Sequence, residues 1–262
     1  MPASSVNRIL TRGSRNNPGL ILLHGFLGSP EDWLPVTETL SRNYFCMLPD
    51  LPGHGKTPAS ALPFETQMEL FARSIETMQG DSPSFLAGYS MGGRIALYLA
   101  LRFPNLFRKT VIISASPGLK TEKERQTRKE SDERLALNIE ENFESFLREW
   151  YSQPLFASLK NSRAFTKTLE ARKMNRPKEA ALALRTLGTG NQPSLWSELA
   201  DFRLPMSFFA GEKDGKYVEI GRQMVNLCSC FDLDIFPQCG HTLHLENRDL
   251  FIDRMLHSLT RQ

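Results

Sequence analysis

The amino-acid sequence predicts an α/β fold, in which helices cover both faces of a mostly parallel, twisted sheet. Two observations lead to this prediction. Six short apolar runs recur along the 262 residues, and each has the length of a buried strand. Amphipathic segments of helical length lie between several of these runs, and such alternation is typical of parallel sheets. No Gly/Ser linker and no low-complexity run divides the chain, so we expect a single domain over residues 1–262.

Each predicted strand is a run of mostly apolar residues. In chain order the strands cover residues 19–25, 44–50, 84–90, 109–116, 204–212 and 231–237. Three helices are predicted over residues 63–80, 93–104 and 247–259. The first of them carries apolar side chains at the three- or four-residue spacing of a buried helix face, namely Phe64, Met68, Phe71 and Ile75.

One long segment interrupts this alternation. From about residue 120 to residue 196 no strand is predicted, and the segment is rich in charged residues that favour helices. Positive and negative side chains are interspersed there, which favours solvated helix faces for most of them. We interpret residues 118–196 as a helical lid between two core strands. It would lie above the carboxyl ends of the strands, where open sheets place their ligands.

Composition and charge exclude several classes of protein. With 40% hydrophobic and 23% charged residues, the chain is not of the disordered class. Its net charge of +3 is too small to favour nucleic acid or an anionic membrane as a partner. The amino-terminal segment is polar and lacks the apolar core of a signal peptide, and no apolar run is long enough to span a membrane. We therefore expect a cytoplasmic protein.

The four cysteines, Cys46, Cys228, Cys230 and Cys239, form no C-x-x-C pair. This usage favours free thiols in a reducing compartment. A metal site built on Cys239 and His241 lacks obvious further ligands. Since the sequence also contains no phosphate-binding loop, we expect neither a metal nor an organic cofactor.

Residues 88–92 carry the strongest chemical motif, Gly-Tyr-Ser-Met-Gly. This G-x-S-x-G pattern lies between a predicted strand and a predicted helix, which is the context of a sharp turn that lifts the Ser90 hydroxyl clear of the backbone. Small residues are needed around the serine because the chain packs tightly at such a turn. The motif therefore predicts Ser90 as the reactive hydroxyl.

Ser90 needs a base and an acid, and in this arrangement the acid precedes the histidine along the chain. His241 follows the last predicted strand and is the preferred base, with His244 as the alternative. Asp214 follows the fifth predicted strand and is the preferred acid, with Glu212 as the alternative. The acid would fix the tautomer of the imidazole and stabilise the imidazolium.

Two further loops follow the first two predicted strands. Phe26 lies in the first of them. Its backbone N–H and that of Met91, directly after the motif serine, are the predicted donors to a developing oxyanion. We expect His24 to hold this loop rather than to transfer protons. In the second loop, we expect turn hydrogen bonds for Asp50 and His54.

Arg94 lies four residues after Ser90. This spacing of about one helical turn places the guanidinium on the Ser90 face of the helix, near the pocket. An enzyme for uncharged esters rarely needs a charge there, so the position favours an anionic substrate, to which arginine offers two parallel hydrogen bonds. The alternative is a buried ion pair beneath the lid.

These motifs together resemble the α/β-hydrolase superfamily over almost the whole chain. A narrower resemblance rests on residues 23–33, 50–55, 88–100, 148–156, 211–217 and 240–247. The combination of GYSMGGRIALYLA with REWYSQPLF is its most specific part, and it is similar to the 2-succinyl-6-hydroxy-2,4-cyclohexadiene-1-carboxylate synthases. Two departures are minor: Gly215 stands where serine is common, and GHTLH replaces a GHNAH-type run.

The resemblance implies a lyase of menaquinone or phylloquinone biosynthesis. Its substrate would be 2-succinyl-5-enolpyruvyl-6-hydroxy-3-cyclohexene-1-carboxylate, a small tricarboxylate. Ser90, activated by His241, would remove a ring proton, and pyruvate would leave without an acyl-enzyme. Members of this family are often monomers, so we expect a monomer.

The resemblance also implies which residues bind the substrate. Three arginines would hold its carboxylates and two aromatic residues would line the pocket: Arg94, Arg128 and Arg172, with Tyr89 and Trp150. In the lid, Arg125 and Arg176 are nearby competitors for the two arginine positions. Packing in the core is the alternative for Trp150.

Two other functions remain open at this point. One is a serine carboxylesterase or C–C bond hydrolase of the same fold, in which Ser90 is the nucleophile. The other is a ligand receptor without activity. Arg94 and the lid arginines disfavour the first, because an uncharged ester does not need them. The presence of a serine, an acid and a histidine in the right order disfavours the second.

Overall fold

The computed structural model describes residues 8–261, and within them one sheet contains seven strands. The strands are β1 (Ile9–Arg12), β2 (Gly19–Leu23), β3 (Phe45–Pro49), β4 (Ser84–Tyr89), β5 (Phe107–Ile113), β6 (Met206–Gly211) and β7 (Phe231–Phe236). Their order across the sheet is β1-β3-β2-β4-β5-β6-β7. All neighbours pair in parallel except β1, which runs antiparallel to β3. The predicted α/β class with a mostly parallel sheet is therefore confirmed.

All six predicted strands are present, and β1 is an additional strand at the edge of the sheet. It has only four residues, and Thr11 and Arg12 are exposed, so it lacks the apolar run by which the other strands are recognised. Residues 1–7 and 262 lie outside the described residues. The two ends of the predicted domain and the beginning of the polar amino-terminal segment therefore fall outside the described residues.

The sheet is buried on both faces because side chains alternate along its central strands. In β2, Ile21 and Leu23 belong to the core on one face, whereas Leu20 and Leu22 belong to the core on the other. All four side chains are fully buried. A strand with two buried faces has a continuous apolar sequence, which explains why the pattern of apolar runs located it.

Eleven α-helices accompany the sheet within residues 8–261. They are α1 (Leu34–Leu40), α2 (Phe64–Gln79), α3 (Met91–Arg102), α4 (Glu122–Glu141), α5 (Phe143–Ser152), α6 (Ala157–Lys160), α7 (Phe165–Lys173), α8 (Pro177–Leu187), α9 (Gly215–Leu227), α10 (Leu243–Glu246) and α11 (Arg248–Thr260). Helices α2, α3 and α9 pack on one face of the sheet, and α1 and α11 pack on the other. The three predicted helices are α2, α3 and α11.

Helices α4 to α8 lie between β5 and β6, in the segment predicted as a lid. No described residue of this segment belongs to a strand, as predicted. The apolar faces of these helices form a core of their own, which includes Ile139, Phe146 and Leu184 and reaches Leu27 in the loop after β2. The helices therefore pack onto a loop at the carboxyl end of the sheet.

Two further expectations concern the whole chain. No helix within residues 8–261 combines the length and the apolar composition that crossing a membrane requires. All four cysteines carry free thiols, as predicted. Burial raises the pKa of the Cys46 thiol to about 12, so this cysteine is an unreactive core residue.

Candidate active site

Ser90 lies at the sharp turn between β4 and α3. Its backbone has φ 51° and ψ −110°, a conformation that is strained for a residue other than glycine. Glycines make the turn possible. A Cβ on Gly88 would lie 2.2 Å from the Gly92 carbonyl oxygen, and a Cβ on Gly92 would lie 2.4 Å from the His24 carbonyl oxygen. The Ser90 N–H donates to the carbonyl oxygen of Ile113 (2.9 Å), which fixes the turn against β5.

Ser90, Asp214 and His241 meet although they lie in three separate loops. Asp214 follows β6 and His241 follows β7, and both side chains are buried. His241 Nδ1 lies 2.7 Å from Asp214 Oδ2, and His241 Nε2 lies 3.2 Å from Ser90 Oγ. The carboxylate favours a proton on Nδ1, which leaves Nε2 to accept the hydroxyl proton of Ser90. The arrangement can therefore turn the serine oxygen into a base or a nucleophile.

Glu246 holds the loop that carries His241. Its Oε2 accepts from the backbone N–H of Gly240 (2.6 Å), and its Oε1 accepts from the N–H and the hydroxyl of Thr242 (3.1 and 2.6 Å). One carboxylate thus binds both neighbours of His241. Sequence reasoning missed this residue, for which the signal was slight: a single acidic side chain five residues after the histidine.

Replacing Glu246 by glutamine is expected to lower kcat roughly tenfold, because weaker hydrogen bonds leave the imidazole of His241 less well aligned with Ser90. Turnover and the thermal unfolding midpoint are measured together. Glu212→Gln is the matched control, since Glu212 also accepts a backbone N–H, from Gln238 (2.9 Å), at the far end of the same loop. An unchanged kcat in Glu246→Gln would contradict this positioning role.

The alternative base, His244, packs in the core and not against Ser90. Its ring stacks on Trp33 with centroids 4.7 Å apart and lies 4.6 Å from the ring of Tyr89. Burial lowers the pKa of His244 to about 4, so it stays neutral. The alternative acid, Glu212, is exposed to solvent. The geometry therefore favours His241 and Asp214 over both alternatives.

His24 connects two loops, as expected. Its Nε2 accepts from the backbone N–H of Leu51 (3.1 Å), and its Nδ1 lies 2.8 Å from the Gly25 carbonyl oxygen. Burial lowers the pKa of His24 to about 4, which keeps it neutral. The turn hydrogen bonds expected for Asp50 and His54 are also present. These residues shape the loops around the site and do not reach Ser90.

A cavity of about 530 Å³ opens beside Ser90 and His241. Phe26, Met91 and Trp150 contribute to its lining. Within residues 8–261, the backbone N–H groups of Phe26 and Met91 have no acceptor in the protein. Both predicted oxyanion donors are thus free to bind an oxygen atom of a ligand in this cavity.

The charged side chains that line this cavity are all cationic: Arg94, Arg128 and Lys216. Arg94 is buried, and its guanidinium donates to the side-chain oxygen of Gln192 (2.9 Å) and to the carbonyl oxygen of Leu187 (3.0 Å). Burial and the positive charge of Arg128 lower the pKa of Arg94 to about 10. No carboxylate of the described chain forms an ion pair with Arg94, so the alternative of a buried ion pair is wrong.

Arg128 lines the same cavity but shares its charge with Asp132. Its Nε donates to Asp132 Oδ1 at 2.7 Å, and this carboxylate is buried. The two competitors lie elsewhere. Arg125 pairs with a glutamate on its own helix, and Arg176 donates to the carbonyl oxygen of Thr57 (3.0 Å). Of Arg125, Arg128 and Arg176, it is therefore Arg128 that lines the cavity.

Arg172 is buried and forms a two-pronged ion pair with Asp32. It donates to both carboxylate oxygens of Asp32 (2.8 Å each) and to the hydroxyl of Tyr151 (3.1 Å). Burial would raise the pKa of Asp32, but the charge and hydrogen bonds of Arg172 outweigh this effect and hold the pKa below its usual value. Arg172 lines a second cavity, of about 50 Å³, which also reaches Ser90 and Tyr89.

The two predicted aromatic residues also reach these cavities. Trp150 lines both of them and packs against Phe26 and Phe146, with centroids 5.6 Å away in each case. Trp150 therefore lines both cavities and also packs against the apolar core of the lid. Tyr89 lies beside His241, with centroids 5.3 Å apart. Burial raises the pKa of Tyr89 well above its usual value, so its hydroxyl stays neutral.

Comparisons with known proteins reveal the family. The family model for the α/β-hydrolase fold matches residues 18–248. The 2-succinyl-6-hydroxy-2,4-cyclohexadiene-1-carboxylate synthase of Yersinia enterocolitica is 33% identical over 249 residues, which cover 93% of this chain and 87% of that protein. The structure of MenH from S. aureus is 32% identical, superposes with a TM-score of 0.90, and the match covers 97% of this chain and 98% of that one. The chain belongs to the 2-succinyl-6-hydroxy-2,4-cyclohexadiene-1-carboxylate synthase family.

A plant relative of this synthase family is much longer. Protein PHYLLO, chloroplastic, of Arabidopsis thaliana is 36% identical over 247 residues, which cover 87% of this chain but 14% of that protein. The chain thus spans a small part of that relative's length, whereas it spans most of the bacterial synthase.

Sequence reasoning missed the residues that hold the three arginines in this member of the synthase family. They are Gln192 for Arg94, Asp132 for Arg128, and Asp32 for Arg172. Only Asp132 carried a signal, because it follows its arginine by four residues in a helical segment. The other two pairs are separated by 98 and 140 residues, so no local pattern connects them.

Proposed function

We propose that the chain is a carbon–oxygen lyase. It eliminates pyruvate from 2-succinyl-5-enolpyruvyl-6-hydroxy-3-cyclohexene-1-carboxylate and gives 2-succinyl-6-hydroxy-2,4-cyclohexadiene-1-carboxylate, in menaquinone or phylloquinone biosynthesis. The observation that carries the proposal is the position of Ser90, His241 and Asp214 beside a cavity whose charged lining residues are all cationic. Membership of the synthase family supplies the reaction, and the cationic cavity suits a substrate with three carboxylates.

Ser90 is the base in the proposed reaction. Its oxygen takes the ring proton while its own hydroxyl proton passes to His241 Nε2, and Asp214 stabilises the imidazolium that results. The electrons of the broken C–H bond on ring carbon 2 form the double bond between carbons 2 and 3. The double bond between carbons 3 and 4 shifts to carbons 4 and 5, and the bond from carbon 5 to the enolpyruvyl oxygen breaks. Enolpyruvate leaves with that oxygen, takes up a proton and tautomerises to pyruvate. No covalent bond to Ser90 forms.

The backbone N–H groups of Phe26 and Met91 are the proposed oxyanion donors. Negative charge develops on the substrate as the ring proton leaves, and both N–H groups lack a protein acceptor. Met91 is also the first residue of α3, where the helix dipole favours negative charge. Loss of one donor of this kind typically costs about 2.7–4 kcal/mol of transition-state stabilisation.

Three arginines are proposed to hold the carboxylates. A guanidinium has five N–H groups. Arg94 uses two of them on protein acceptors and Arg172 uses three, so both retain donors for the substrate. Arg128 contributes from the exposed side of the larger cavity. Tyr89 and Trp150 are proposed to line the space between these groups.

The proposal also covers the setting of the enzyme. We propose that the enzyme is a monomer, as members of the synthase family often are. The single domain, with residues 118–196 as its lid, acts on a small tricarboxylate in the cytoplasm. With a net charge of only +3, no nucleic acid or membrane partner is proposed.

The test of this function is pyruvate release from freshly generated substrate. Release is followed by coupled oxidation of NADH, beside an enzyme-free control, because the substrate also loses pyruvate spontaneously. We expect release well above that control and no acyl-enzyme burst with 4-nitrophenyl acetate at a comparable rate. A carboxylesterase or C–C bond hydrolase would show the burst. Release no faster than the spontaneous rate would overturn the lyase.

A further inference from the structure

We propose that Gln192 gives the cavity its preference for anions, because it holds Arg94 in place without neutralising it. The inference rests on the proposed function and deepens it. Gln192 is completely buried and does not line the cavity, so it is a positioning residue that acts through Arg94. Its side-chain oxygen accepts from a terminal N–H of Arg94 at 2.9 Å.

The orientation of the Gln192 amide follows from chemistry. A guanidinium only donates hydrogen bonds, so the amide oxygen and not the nitrogen must face Arg94. The amide nitrogen then points away, and no residue of the described chain accepts from it. A buried donor without a partner is unfavourable for the fold. Glutamate has nearly the same shape, would avoid this unpaired donor and would form an ion pair, so a neutral side chain here serves something other than stability.

The other two arginines show the contrast. Arg128 donates to Asp132, and Arg172 makes a two-pronged ion pair with Asp32, so a carboxylate of the protein offsets each charge. Arg94 has only uncharged acceptors, Gln192 and a backbone carbonyl oxygen. It is nevertheless buried at the wall of the cavity. The Asp132 carboxylate acts on Arg94 only at a distance and is paired with Arg128. A buried cation without a carboxylate in contact interacts strongly with an incoming anion, so a substrate carboxylate completes the ion pair that the protein leaves open.

Two substitutions of Gln192 distinguish charge from mere hydrogen bonding. Gln192→Glu keeps the hydrogen bond and adds a negative charge, whereas Gln192→Met removes the hydrogen bond and stays neutral. The probe is 2-succinylbenzoate, a stable dicarboxylate whose aromatic ring carries the same carboxylate and succinyl groups as the cyclohexadiene ring of the product. Its binding is measured by calorimetry. We expect Gln192→Glu to weaken binding roughly 10- to 100-fold and Gln192→Met to weaken it about 3- to 10-fold. If Gln192 had a purely structural role, Gln192→Met would weaken binding more than Gln192→Glu, and that result would overturn the proposal.

The matched control is Gln223→Glu. Gln223 also accepts a hydrogen bond from a cation, the ammonium of Lys120 (3.1 Å), but on the exposed surface. The Gln223→Glu substitution adds the same negative charge, and we expect it to leave the affinity for 2-succinylbenzoate unchanged. The thermal midpoint of Gln192→Glu is expected to equal or exceed that of the wild type, because the new carboxylate pairs with Arg94.

The outcomes separate this proposal from the lyase activity. Binding of the dicarboxylate by Gln192→Glu at wild-type affinity would overturn the proposal, and so would a wild-type protein that does not bind the probe. In another outcome, the affinity for the probe follows the expected order, with the wild type binding most tightly and Gln192→Glu most weakly, but the wild type releases no pyruvate. In that case the role of Gln192 stands and the proposed reaction fails.

Discussion

Ser90→Ala and His241→Ala are each expected to lower kcat for pyruvate release by about 10³- to 10⁴-fold, the upper part of the range for general-base catalysis. The double variant should be no slower than the slower single variant. Ser90 Oγ and His241 Nε2 lie 3.2 Å apart and transfer one proton together, so loss of either leaves the other without a function. The measurement is the steady-state rate at saturating substrate, after subtraction of the spontaneous release.

Two other histidines serve as controls for this result. His257 is exposed on α11, and His257→Ala should retain the wild-type rate. His244→Ala should lower the thermal midpoint, because the imidazole stacks on Trp33, while the folded fraction keeps its rate. Circular dichroism verifies that each variant is folded. A folded His244→Ala protein with a crippled rate, beside an active His241→Ala protein, would show that the base is assigned wrongly.

The sequence predicts that Ser90, Asp214 and His241 meet because each of them lies in the turn or loop that follows a predicted strand. Ser90 follows β4, Asp214 follows β6 and His241 follows β7. In a parallel sheet the carboxyl ends of neighbouring strands lie on one edge, so three local patterns become one site once the strand order is set. Arg94 was predictable for another reason, since helical spacing alone ties it to Ser90.

The sequence cannot predict which charges of the lid face inward. Helix α4 buries only three side chains, Asp132, Ala136 and Ile139, and charged residues surround them, so its pattern shows no clear apolar face. Arg128 and Arg125 look alike in such a segment. Only the structure distinguishes them, because Arg128 contacts the buried Asp132 whereas Arg125 contacts the exposed Glu122. Long-range partners such as Gln192 leave no local pattern at all.

A specific packing feature explains why the sequence pattern does not predict helix α9. Its buried face contains Val218 and Met224, but Gly221 lies between them and interrupts the apolar stripe. A Cβ at Gly221 would lie 2.8 Å from the ring of Phe208, so close packing of the helix on β6 requires the glycine. The feature that fits the helix to the sheet is thus the feature that weakens its sequence pattern.

Arg94→Ala is expected to lower kcat/KM for pyruvate release by about 10²- to 10³-fold, as for one partner of a buried charge pair. The much slower side reaction, hydrolysis of the small neutral ester 4-nitrophenyl acetate, should change little in the same variant. The reason is that a neutral ester needs only Ser90 and His241, whereas the tricarboxylate also needs the one buried guanidinium that forms no ion pair with a carboxylate of the described chain. Both rates are measured on one preparation, together with its thermal midpoint.

Arg125→Ala is the matched control for this experiment. Arg125 pairs with Glu122 and does not line the cavity, so its loss should leave both rates unchanged. Equal losses of both activities in Arg94→Ala would show that the guanidinium supports the fold around Ser90 and does not bind the substrate. A loss of activity confined to the anionic substrate would show that the charge of the cavity distinguishes this lyase from an esterase of the same fold. The serine, the histidine and the sheet that positions them serve both chemistries.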